Sequence, residues 1–156
     1  MCLKSNNIYT IILNSIADLL YNYYNGEIAV ESNYVKQGFR EPCFFIELID
    51  TLKNRRLENK QIRTYQIDIQ YLNGNLGRDD LNSVGDDLFE ILELIPLRDS
   101  AKNYVRAYKY DRKIVGDILH FIVTYHVYLQ KEIDEQLKME TLENKVSEVK
   151  NEESLL

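Results

Sequence analysis

An α+β fold, a mainly antiparallel sheet of four to five strands packed against two helices and followed by a charged helical or disordered C-terminal tail, is predicted by three patterns. Apolar residues recur at three- and four-residue steps in two segments, and they alternate in several others. After residue 130 both patterns give way to Glu/Lys-rich sequence, which divides the chain into one domain over 1–130 and an acidic tail over 131–156.

Ile8, Ile11, Ile12, Ile16, Leu19, Leu20 and Tyr23 fall on one stripe of a helix from about Ser5 to Tyr24, with Ser5 or Asn6 as its cap. Asn25-Gly26 supplies the left-handed stop, and Ile28 to Ser32 is a short extended stretch. In the junction that follows, Gly38 permits a turn, and Pro42 restricts φ just before an apolar run that opens a strand over Cys43 to Leu52. Beyond the polar segment Asn54 to Lys60, the strict alternation of Tyr65, Ile67, Ile69 and Tyr71 makes Gln61 to Leu72 the second arm of a long antiparallel hairpin. Asn73 to Asp80 reads as a loop. Val84, Leu88, Ile91, Leu92 and Ile95 define a second helix starting near Asn82-Ser83 and ending before Pro96. Two more strands follow: Tyr104 to Tyr110, with Tyr104, Arg106, Tyr108 and Tyr110 on one face, and Ile118 to Tyr128, with Asp111 to Gly116 as the turn.

Composition narrows the function. Nineteen basic against twenty-five acidic residues give a net charge of -6, which argues against broad attraction to nucleic acid. Cys2 and Cys43 lack any CxxC spacing, so a disulfide framework is not expected and a reducing cytoplasm is the predicted place of synthesis. The polar start has no signal-peptide pattern, and no apolar run approaches a membrane span. The segment from Lys131 carries eight acidic and four basic residues with sparse apolar positions. It reads as a solvated or disordered tail, or as a helix that orders on a neighbouring subunit or partner.

Reactive groups are few. His120 and His126 share a face of the last strand, but six residues at about 3.3 Å each separate them by about 20 Å, too far for one metal. Asp79, Asp80, Asp86 and Asp87 form the densest acidic cluster, and their place beside the second helix makes them helix-start acids, with Ser83 and Asp86 resembling a capping box. Gly74 and Gly77 lack the Lys-Ser/Thr of a phosphate loop. Lys53, Arg55, Arg56 and Lys60 form a basic patch at the hairpin tip, either a solvated loop or a contact for an acidic partner. The twelve tyrosines, with no tryptophan, either cover a sheet face or serve an interface. No catalytic, cofactor or metal site is expected.

The junction Gln37-Gly38-Phe39-Arg40-Glu41-Pro42-Cys43-Phe44-Phe45-Ile46, the aromatic strand Tyr65-Gln66-Ile67-Asp68-Ile69-Gln70-Tyr71 and the closing Leu119-His120-Phe121-Ile122-Val123-Thr124-Tyr125 occur in order over about residues 8–130. Together they resemble the phage tail terminator family of tailed phages, and related phage-like particles, of Gram-positive bacteria. The resemblance implies a structural virion protein, commonly a hexameric ring, that caps the head-proximal end of the tail tube and stops its polymerisation. Its partners would be other copies of itself, the tail tube protein, and a neck connector or a contractile sheath, with no membrane and no sequence-specific nucleic acid. Gln37, Phe39, Arg40 and Glu41 on the junction loop, and Arg55 and Arg56 at the hairpin tip, are the expected subunit or tube interface. The alternatives are a neck connector or head-completion protein, or a metal-dependent enzyme using the aspartate cluster.

Overall fold

The computed structural model describes residues 8–32, 40–57, 59–97 and 103–130. It contains helices α1 (Ile8–Tyr23) and α2 (Arg78–Ile91) and strands β1 (Ala29–Glu31), β2 (Cys43–Arg55), β3 (Lys60–Leu72), β4 (Leu94–Pro96), β5 (Tyr104–Val115) and β6 (Ile118–Gln130). The strands form one sheet in the order β1-β2-β3-β6-β5-β4. β1 is parallel to β2 and every other pair is antiparallel, so the sheet is mixed and six-stranded rather than four- to five-stranded. The expected acidic tail, 131–156, lies outside the described residues, as do the candidate caps Ser5 and Asn6.

α1 forms where its stripe was read, burying Ile8, Ile12, Ile16 and Leu20. It stops as expected: Asn25 (φ 53) and Gly26 (φ 75) turn left-handed, and their N–H groups donate to the carbonyls of Asn22 (3.2 Å) and Tyr21 (2.8 Å). These two bonds are the Schellman pairing, with Asn25 as its first non-helical residue. The tip of the β2–β3 hairpin is shorter than the polar segment suggests, because β2 runs on to Arg55 and β3 starts at Lys60.

α2 starts at Arg78, well before Asn82-Ser83. Leu81 and the buried Gly85 extend the stripe of Leu88 and Leu92 upstream, so the apolar face decides the start and Ser83 lies inside the helix. Gly77 is the N-cap and makes no side-chain cap bond; Asp79 and Asp80 in the first turn face the positive end of the dipole. The helix ends at Ile91 rather than running up to Pro96, and β4 is the strand the sequence did not reveal. Three residues are too few to display alternation, and Pro96 reads as a helix stop. As β4 is the sheet's last strand, its missing N–H faces no neighbour.

β5 also departs from its reading. Asp111 to Val115 belongs to the strand, and the turn is only Gly116-Asp117, with Gly116 at φ 62. A bulge between Ala107 and Lys109 shifts the alternation, so Tyr110 turns to the opposite face from Tyr104, Arg106 and Tyr108. Tyr110 packs edge-on against Phe89 of α2 (centroids 5.2 Å apart) and beside Phe121 of β6.

The helices cover one face of the sheet. Phe44 and Ile46 of β2, Tyr65, Ile67, Ile69 and Tyr71 of β3, and Leu119, Phe121, Val123 and Tyr125 of β6 form the core with α1 and α2. At its centre the Tyr125 hydroxyl donates to the Leu92 carbonyl at 2.7 Å, satisfying an acceptor at the end of α2. Burial pushes the Tyr125 hydroxyl well above its ordinary value of 10.0.

Candidate assembly interface

Of the six residues expected at an interface, the four that are described lie in two separate places. Gln37 and Phe39 lie outside the described residues. Arg40 and Glu41 are exposed at the start of β2, whereas Arg55 and Arg56 are exposed at its far end. Twelve steps along an extended strand at about 3.3 Å each put these pairs about 40 Å apart. Glu41 is engaged within the chain: its carboxylate accepts from the Gly74 N–H at 2.7 Å, pinning the start of β2 to the β3–α2 loop. Gly74 therefore holds a protein carboxylate.

The acidic cluster is also distributed by the fold. Asp86 pairs with Arg112 of β5 at 2.6 Å, and the same guanidinium donates to the Asn82 carbonyl at 3.2 Å and lies over the Phe89 ring. Gly85 makes room for that crossing: a Cβ there would stand 2.5 Å from Arg112 Cδ. Burial, with the Asp87 carboxylate next in effect, pushes the Tyr24 hydroxyl upward. Asp79 and Asp80 serve the helix dipole. Among the described residues, no group of three or more His, Cys, Asp or Glu side chains is placed to hold a metal ion.

Both histidines share a face, as their even spacing predicts, and it is the face opposite the helices. His120 Nδ1 lies 2.8 Å from Asp68 Oδ2, an oxygen that also accepts from Gln70 Nε2 at 3.1 Å. His126 Nδ1 lies 2.8 Å from the Thr64 hydroxyl, and its ring lies 4.2 Å from that of Tyr108. Each imidazole thus bridges neighbouring strands. The Cys43 thiol is buried; desolvation first, then the Glu41 and Glu31 charges, raises its pKa and disfavours the nucleophilic thiolate.

What the open face offers is contact area. Tyr104, Tyr108 and Tyr128 cluster around His126, with Tyr108 69% and Tyr128 67% exposed, and Leu52 stands opposite Thr64 in the next strand pair. At the adjacent tip Leu57 is 87% exposed beside Arg55 and Arg56. The tyrosines divide between both of their expected uses: Tyr65, Tyr71 and Tyr125 fill the core, while Tyr104, Tyr108 and Tyr128 stand on the surface. Alternation places Tyr104, Arg106 and Tyr108 on one face and the structure keeps them there; only Tyr110 of that expected set is turned away, by the β5 bulge. Large exposed apolar clusters of this kind mark interaction surfaces.

The described residues thus leave an exposed aromatic cluster on the open face of the sheet. A family model described as phage tail terminator protein matches residues 11–137, and the chain belongs to that family. It is accordingly a structural protein of a phage tail, with other tail proteins as its partners. No curated protein sequence matches the chain. One solved structure aligns with 81% of this chain and 98% of its own length at 10% identity, with a TM-score of 0.39, which is too distant to bear on fold or function. No helix among the described residues is long and apolar enough to cross a membrane.

Proposed function

We propose that this protein forms a ring, hexameric as the resemblance implies, that caps the head-proximal end of the tail tube. It stops tube polymerisation and joins the tail to a neck connector or closes a contractile tail. It is assembled in the bacterial host cytoplasm and acts without catalysis or cofactor. In this reading residues 1–130 are the folded domain and 131–156 an appended acidic segment.

The observation that carries the reading is the two-ended surface on a chain of this family. A ring is built head to tail, so each subunit must present two different, complementary patches. The tyrosine cluster and cationic tip lie at one end of the long strands, and Arg40 and Glu41 lie at the other. β2 beyond Phe45 and much of β5 have no outer strand neighbour among the described residues. Both carry a bulge and charged side chains, namely Lys53 and Arg55 on β2 and Lys109, Asp111 and Lys113 on β5. These features oppose simple strand addition, and contact through the side chains of the open face is favoured instead.

The test is electron microscopy of tails assembled with and without the protein. Loss should give tubes of uncontrolled length, and tubes of normal length would sink the reading. Reversing Arg55 and Arg56 to glutamate should weaken ring formation or capping; unchanged rings and caps would remove those two residues from the interface.

A further inference from the structure

The hairpin tip is cationic and apolar. Arg55, Arg56 and Lys60 rim a cleft whose walls include Leu57, Ile62 and Tyr128, and no ion pair to these three cations, or to Lys53, occurs among the described residues. The last residue of β6, Gln130, lines the same cleft and stands directly opposite Lys60 in the β3–β6 register. The Arg56 N–H donates to the Lys60 carbonyl at 2.7 Å, which holds the start of the turn against the strand end.

The chain continues from that point for 26 residues, of which eight are acidic and four basic, a net of -4 out of -6 for the whole protein. Glu132, Asp134 and Glu135 lie within five residues of Gln130. Five residues reach at most about 17 Å, so these carboxylates are confined to the neighbourhood of the three cations. Ile133 and Leu137 supply apolar side chains between the acids, matching the cleft's mixed lining.

We propose that the acidic segment beginning at Lys131 docks on the basic tip of its own chain, with Glu132, Asp134 and Glu135 against Arg55, Arg56 and Lys60 and with Ile133 over the apolar wall. Three features select this occupant: the charges are complementary, the cleft begins where the segment begins, and tethering gives it a high effective concentration. The inference does not depend on ring formation.

The experiment uses the full-length protein and a full-length Glu132→Gln/Asp134→Asn/Glu135→Gln variant, which keeps the chain length and leaves the described domain unaltered. Trypsin cleavage after Arg56 is timed in both at low salt. The expected result is cleavage about tenfold faster in the variant, the effect of several exposed charge pairs acting together. The difference should shrink as ionic strength approaches about 1 M, where screening reaches within about 3 Å. Equal rates at low salt would overturn the proposal. So would protection that rises with protein concentration, or carbodiimide cross-links from Lys60 to Glu132, Asp134 or Glu135 that join labelled to unlabelled chains, because either result assigns the cleft to a second copy.

Discussion

The two faces of the central sheet are built from alternate residues of the same strands, yet they differ in kind. On the helix-covered face of β6, Leu119, Phe121, Val123 and Tyr125 are fully buried; on the open face His120, Ile122, Thr124 and His126 are half-buried and Tyr128 is exposed. One face is a close-packed core in which the Tyr125 hydroxyl donates to the Leu92 carbonyl. The other combines cross-strand polar bridges with exposed tyrosines. Substitutions on the first should therefore act through stability, and substitutions on the second through association.

The largest effect is expected from Phe121→Ala. Its ring is wholly buried against Phe89 and Tyr110, and deletion of such a ring costs about 3–5 kcal/mol, much of a typical domain's stability. Urea unfolding checks it, and a loss under about 1 kcal/mol would mean that this face is not the core.

Alkali should separate the faces next. Tyr24 and Tyr125 have folded-state values raised above 10.0, so as pH climbs through 10 the unfolded phenols lose protons first. The unfolded state then binds fewer protons and stability falls. The contribution is fully present below pH 10; Tyr125 gives a slope of about 1.4 kcal/mol per pH unit until its folded value is reached, and the half-buried Tyr24 adds less because solvent screens it. Urea midpoints at pH 9 and 11 measure this fall, and equal midpoints would contradict the burial of both hydroxyls.

A smaller loss, about 1–2 kcal/mol, is expected for Tyr125→Phe, which keeps the ring but leaves the Leu92 carbonyl unpaired. The same variant should remove part of the alkaline slope.

At Gly85 the expected sign depends on background. Gly85→Ala should destabilise the natural chain by crowding Arg112, which Asp86 and the Asn82 carbonyl hold in place. In an Arg112→Ala background it should stabilise by about 1 kcal/mol, the ordinary gain of alanine over glycine in a helix. The same sign in both backgrounds would show that the crossing does not explain the glycine.

Tyr108→Ser with Tyr128→Ser should change stability least, by about 0.5 kcal/mol or less per site, because both rings are mainly in solvent. Sedimentation and tube-capping assays should nevertheless show weakened assembly. Unaltered assembly would make the open face a solvated surface rather than an interface.

Much of this arrangement was determined by the sequence alone, because burial on one side of a regular element leaves a local repeat. The four-residue steps of Ile8, Ile12, Ile16 and Leu20, the Asn25-Gly26 stop and the alternation of Tyr65 to Tyr71 each state a nearby backbone geometry. Only the tertiary structure decided what depends on a distant partner. β4 exists because Tyr104 to Arg106 pairs with it, Tyr110 enters the core because a bulge moves it there, and Asp86 binds Arg112 because β5 crosses α2. The separation of Arg40 and Glu41 from Arg55 and Arg56 follows from the full length of β2, which a polar tip disguised. Local repeats report which way a side chain faces along one element; register, bulges and long-range pairs arise only when elements meet.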